Sequence, residues 1–159
     1  VSEPNPYRAP GAPVSDPRPE RRGSTFAAIA AGLTADVFGT FVGSIVVTIV
    51  LGVWLAGQGV ATEDMHAFMG DSGGFQMFSL LFGLAFTVLG GYVAARVANF
   101  RELWHGMVLG IASLVFGELY IAIAGADVAL WQRMASWLLM LPAGIYGAFL
   151  YRKRKRATA

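Results

Sequence analysis

The chain has 159 residues, enough for one domain; 55% are hydrophobic and 14% charged, and the mean hydropathy is +0.56. A soluble domain carries about 25% charged residues, so the composition points to a membrane protein. The formal net charge is only +2 and there is no cysteine, which excludes disulfides, iron–sulfur clusters and thiol catalysis.

Residues 1 to 24 hold six of the seven prolines and few apolar side chains. Such a segment buries too little surface to offset its ordering entropy, and it predicts a disordered or polyproline-like tail. It has no apolar core ahead of a cleavage site, so it does not read as a signal peptide.

Four apolar segments follow, at about 26–56, 75–98, 103–124 and 129–150. The last three each have roughly the 20 residues that a spanning helix needs. The first is longer: as one helix it covers roughly 46 Å against a hydrocarbon core of about 30 Å. Residues 26–34 are therefore expected to protrude or to lie in the interface, with 35–56 as the spanning part. The predicted class is all-α: a polytopic membrane protein, a four-transmembrane-helix bundle over 25–151, with basic residues 152–159 as a C-terminal tail. The turns NFRE (99–102) and GADV (125–128) are short, so segments two, three and four should form consecutive antiparallel hairpins. Residues 57–74 make the one sizeable loop.

Eleven of the twelve basic residues fall on one side if both termini are cytoplasmic: Arg8, Arg18, Arg21, Arg22, Arg96, Arg101 and residues 152–156. Arg133 stands alone on the other side. This positive-inside distribution predicts a multi-pass protein with both termini in the cytoplasm. A basic run can also meet nucleic acid, but directly after an apolar helix it reads as an orientation signal. Trp54, Trp131 and Trp137 fall near the outer boundary, and Trp104 and Tyr151 near the inner one, as an aromatic belt places them.

Helices in lipid associate through small residues. Segment one offers Gly39 and Gly43, and segment three Gly106 and Gly110, each in GxxxG spacing. Segment two offers Gly90 and Gly91, and segment four Gly144 and Gly147. Pro142 should bend the last helix.

A few polar groups need an explanation. Asp36, Thr40, Ser44 and Thr48 recur every four residues, on one helix face. They either line a polar path or bond to their own helix carbonyls. Asp36 and Arg96 are expected at one depth near the cytoplasmic face, where pairing would lower the cost of either charge. Glu118 lies about seven residues before the GADV turn and Arg133 about five after it, so they share a depth on neighbouring helices. A Glu118–Arg133 pair is the favoured reading. A protonated Glu118 bonded to a neighbour, and a transport carboxylate facing an aqueous cavity, are the other two.

No metal or cofactor site is expected. MHAFM (65–69) offers soft ligands but no second histidine nearby, and His66 and His105 fall on opposite faces, so they do not share a haem. No GxSxG, HExxH, P-loop or GxGxxG motif is present, and no catalytic residue is assigned.

The stretch GGYVAARVANFRELWHGMVLGIAS (90–113) resembles the helix–turn–helix core of many small, uncharacterised bacterial inner-membrane proteins. These have a Gly-Gly-Tyr-x-Ala-Ala-Arg helix end, a short polar turn and a His-Gly helix start. NPYRAP near the N-terminus is similar to the start of many bacterial membrane proteins. The resemblance implies a four-helix bundle in the bacterial inner membrane and supplies no catalytic residue. The leading expectation is an integral membrane interaction protein without its own catalysis: an accessory subunit, assembly factor or regulator. Its surroundings are the lipid bilayer and a protein partner or second copy, with no nucleic acid and no cofactor. The alternative is a small transporter or channel that uses Glu118 and the Asp36/Thr40/Ser44/Thr48 face.

Overall fold

The structure, a computed structural model, describes residues 23–158; it does not describe the side chains of residue 66 and residues 68–71. The expected N-terminal tail lies almost wholly outside the described residues, as do Arg8, Arg18, Arg21 and Arg22. Five helices follow in order: α1 (Thr25–Gly57), α2 (Thr62–Asp71), α3 (Gly73–Ala98), α4 (Glu102–Ala124) and α5 (Leu130–Ala157). There is no strand among the described residues. α1, α3, α4 and α5 are long and apolar enough to cross a membrane, and they define a multi-pass membrane protein.

The helix ends follow from local chemistry. Ser24 and Ser72 cap α1 and α3, accepting from the backbone N–H of Ala27 at 3.5 Å and of Phe75 at 3.3 Å. Asn99 ends α3 in the left-handed region at φ 56°, and Gly125 ends α4 at φ 62°, conformations that asparagine and glycine adopt most readily. Arg101 is also left-handed, at φ 45°, so the NFRE turn reverses the chain through two such residues.

Three boundaries differ from the sequence expectation. The 57–74 connection is not a plain loop, because Thr62–Asp71 form a helix with Glu63 and Asp64 in its first turn, where acidic groups suit the helix dipole. The basic run is not a tail: α5 continues through Arg152–Arg156 as one helix of 28 residues. Lysine and arginine are good helix formers, and their charge is favourable at a helix C-terminus. Nor does the start of α1 stand free. Ala28 and Gly32 are buried in the bundle, and Gly23 N–H donates to the Ala98 carbonyl at 2.9 Å.

The consecutive hairpins α3–α4 and α4–α5 form as expected, but the largest interfaces lie elsewhere. α3 is the hub, with its largest interfaces against α5 and α1. α4 also packs mainly on α5, and the backbones of α1 and α5 do not approach each other closely. The Gly90–Gly91 pair makes this possible, because successive residues point about 100° apart around a helix. A Cβ on Gly90 would lie 2.7 Å from the Gly32 carbonyl of α1. A Cβ on Gly91 would strike the Gly144 carbonyl of α5. Gly110 of α4 meets the Met140–Leu141 backbone of α5, and Gly144 of α5 meets the Gly106 carbonyl. Gly39 and Gly43 of α1 do not touch backbone. They receive the rings of Phe86 and Phe82, which belong to a ladder of Phe75, Phe78, Phe82 and Phe86 along α3.

At the end carrying both termini, His105 is fully buried; its ring nitrogens lie 3.1 Å from the Arg101 carbonyl and 3.4 Å from Thr25 Oγ1. Phe100 meets its ring edge-on at 5.0 Å. Tyr151 donates to Asn99 Oδ1 at 3.0 Å, Arg154 donates to the Tyr92 hydroxyl at 3.2 Å, and Lys155 pairs with Glu102 at 3.4 Å. Part of the basic run thus closes this end of the bundle.

Candidate functional site

Two polar constellations stand out among the helices. The first is centred on Asp36, which is 5% exposed. It stands eleven residues into α1, about 16 Å from the start of that helix. Thr87 lies eleven residues before the end of α3, and Ser113 eleven after the start of α4. All three therefore meet at one depth, near the middle of a bilayer of about 30 Å. Thr87 Oγ1 is 3.3 Å from each Asp36 carboxylate oxygen, and Ser113 Oγ donates to Oδ2. Thr87 Oγ1 also lies 3.2 Å from its own helix's Gly83 carbonyl.

The expected Asp36–Arg96 pair is absent. Arg96 is exposed nine residues beyond Thr87 along α3, about 13 Å closer to the helix end. The start of α1 packs inside the bundle, so Asp36 lies well past the headgroup depth that the pairing required. Its partners are hydroxyls instead of a cation.

Beyond Asp36, α1 stays on α3 but separates from α4. The result is a side-opening cleft of about 510 Å³ between α1 and α4, with Asp36 among its lining residues. Thr40, Ser44 and Thr48 line it from α1, and their hydroxyls make no hydrogen bond to any described residue. That removes the reading in which they bond to their own helix carbonyls. Thr87 and Gly83 contribute from α3 and Met140 from α5. Phe41, Phe116 and Tyr120 form the apolar walls. A Cβ on Gly83 or Gly117 would meet nothing within 4 Å, so these glycines open space here and bring no backbones together.

The second constellation is Glu118 with Arg133. Arg133 Nε donates to Glu118 Oε1 at 3.1 Å, and Nη2 donates to Oε2, a two-pronged pair. Trp137 Nε1 donates to Oε1 at 2.6 Å, and the Arg133 guanidinium lies 5.6 Å from the Trp137 ring centre. The structure thus brings together the two residues matched by depth across the GADV turn. They sit on the bundle surface, with 42% of the Arg133 and 27% of the Glu118 side chain exposed. Both oxygens of Glu118 are engaged, and Glu118 is not among the residues that line the α1–α4 cleft.

The sequence reading missed Thr87, Ser113 and Trp137 as partners. The depth arithmetic that matched Glu118 to Arg133 also matches Asp36 to Thr87 and Ser113, once the start of α1 is placed inside the bundle. Among the described residues no group of three or more histidine, aspartate or glutamate side chains could hold a metal ion. Comparison with protein families, characterised proteins and solved structures gives no match for this chain.

Proposed function

We propose that the protein is a non-enzymatic inner-membrane protein of bacterial type that binds a ligand within the bilayer, as a small transporter must, and that its site is the α1–α4 cleft. The observation that carries this reading is the convergence of Asp36 with three unbonded hydroxyls, Thr40, Ser44 and Thr48, on one side-opening cavity. Asp36 is buried with only hydroxyls for partners, and an ionisable side chain at this depth is rare and usually functional. Glu118 takes no part in the site. The cavity also falls within the roughly 300–1,000 Å³ of small-molecule sites.

A partner-binding role has its own support. The outer half of α1 is exposed along Val46, Ile49, Val50 and Val53. An accessory-subunit reading would place a partner's helix there. A photo-crosslinking residue at Ser44, with Leu138 on the exposed side of α5 as control, separates the two in native membranes. Adducts of small mass specific to Ser44 support the ligand site. Adducts to a protein alone would replace it with the partner reading.

The orientation belongs to the same proposal. The eleven-to-one distribution of basic residues supports cytoplasmic termini. Because the chain has no cysteine, single cysteines at Ser2 and Gly73 report it cleanly. A membrane-impermeant maleimide should label Gly73→Cys in intact cells and Ser2→Cys only after lysis. Labelling of both from outside would reverse the assignment of the N-terminus.

A further inference from the structure

We infer that the ligand of this cleft is an amphipathic organic cation that reaches it sideways from the bilayer, with its positive head on Asp36 and its apolar part along Phe41, Phe116 and Tyr120. The inference rests on the ligand-binding reading above and adds the chemical class of the ligand.

Charge sets the head group. Among the described residues Asp36 is the only carboxylate lining the cleft, and no lysine, arginine or histidine joins it there. Its two neighbours, Thr87 and Ser113, supply hydroxyls but no compensating charge. A carboxylate in hydrocarbon is stabilised by a cation at hydrogen-bonding distance, whereas an anionic head would add repulsion.

The walls and the volume set the rest. A bare divalent ion needs about six or more oxygen ligands and leaves a cavity of about 510 Å³ largely empty. The walls are mostly apolar and aromatic, which suits the hydrocarbon part of an amphiphile, and aromatic faces also attract cations. A transmembrane helix, about 10 Å wide with its side chains, is too large for this space. Thr40, Ser44 and Thr48 then offer hydroxyls at successive turns along the path from Asp36.

The hydroxyl shell serves Asp36 in both of its states. When the carboxylate is ionised, Thr87 and Ser113 donate to it. When it holds a proton, that O–H donates to Ser113 Oγ or Thr87 Oγ1, and Thr87 turns its own proton to the Gly83 carbonyl at 3.2 Å. A proton and an organic cation therefore compete for one site. Among the described residues Tyr120 of α4 is the only other titratable group lining the cleft, and α3 and α5 contribute none. Binding should weaken as pH falls, because protonation removes the charge that the ligand's head meets.

The test uses the full chain in nanodiscs of neutral lipid, with empty discs as the partitioning control. Decylammonium and decanoate carry the same chain with opposite head charge, and equilibrium dialysis measures the saturable part of their binding. Decylammonium should bind saturably and decanoate should not. Asp36→Asn should weaken decylammonium binding by about tenfold or more, the scale of losing a charged hydrogen-bond partner. It should also remove the pH dependence. Gly117→Leu fills the cleft without touching a helix interface and should abolish binding while leaving the melting temperature near that of the parent. Equal saturable binding of both probes, unchanged by Asp36→Asn, would overturn the cation assignment and leave the ligand site standing. Saturable binding that Gly117→Leu does not affect would move the site elsewhere. The absence of saturable binding of either probe would also overturn the cation assignment; small-mass adducts at Ser44 then decide separately whether the ligand site stands.

Discussion

Gly91→Leu destabilises the detergent-solubilised protein by about 3 kcal/mol or more, the upper range for forcing extra volume into a packed interior. The reason is geometric. A Cβ at position 91 would strike the Gly144 carbonyl and lie 2.9 Å and 3.0 Å from the carbonyl carbon and Cα of Gly144. These are backbone atoms, so no rotamer change relieves the contact, and α3 and α5 must separate. Because α3 and α5 form the largest interface, the whole bundle loosens. Gly144→Leu should do the same from the other side, since a Cβ there meets the Gly106 carbonyl and comes within 3.1 Å of the Gly110 nitrogen. Gly83→Ala and Gly117→Ala are the controls, because nothing lies within 4 Å of a Cβ at either position. Thermal unfolding in one detergent compares all four. A Gly91→Leu protein that melts with the parent would mean that α3 and α5 do not cross at these glycines.

Glu118→Gln and Arg133→Met each lower the melting temperature by several degrees, and the double variant recovers part of the loss. Removing one partner leaves the other charge without its counter-ion, which costs more than removing both. The two single variants leave different residues behind. Glu118→Gln keeps an acceptor for Trp137 Nε1 but leaves the Arg133 guanidinium without a counter-charge. Arg133→Met leaves the Glu118 carboxylate with the indole N–H as its donor. In the double variant a neutral amide still accepts from Trp137 and an apolar side chain faces the membrane. Strict additivity across this cycle would show that the two side chains act independently. The cleft lies apart from this pair, so none of the three variants should alter ligand binding at Asp36.

Neighbouring helices were legible from local features. The four apolar runs fix the spanning helices, whereas the caps at Ser24, Ser72, Asn99 and Gly125 came only with the structure. The GADV turn is short enough that counting residues on either side places Glu118 opposite Arg133. Information of this kind lies within one hairpin, where chain connectivity does the aligning. The basic run was legible as charge but not as helix, because a positive-inside signal says nothing of backbone conformation. Helical continuation of α5 through Arg156 follows from propensity and the dipole, which reading it as a tail set aside.

The Asp36 site was not legible in the same way. A soluble helix shows which face goes inward by its apolar stripe, but these helices are apolar on nearly every face, and lipid accepts the faces that the bundle does not bury. Small residues mark where helices can approach, yet Gly90 and Gly91 are adjacent in sequence and serve different partners, α1 and α5. Gly39 and Gly43 have the same spacing as Gly106 and Gly110, but the first two hold phenylalanine rings and the second two meet the backbone of α5. The sequence by itself therefore determined the membrane class, the four spanning helices and the Glu118–Arg133 pair. Only the tertiary structure decided that α1 starts inside the bundle against α3 and then diverges from α4. That divergence places Asp36 against Thr87 and Ser113 and leaves the Thr40–Ser44–Thr48 hydroxyls facing an open cleft, because contacts between non-consecutive helices depend on backbone shape and side-chain fit, which no periodicity in these apolar sequences encodes.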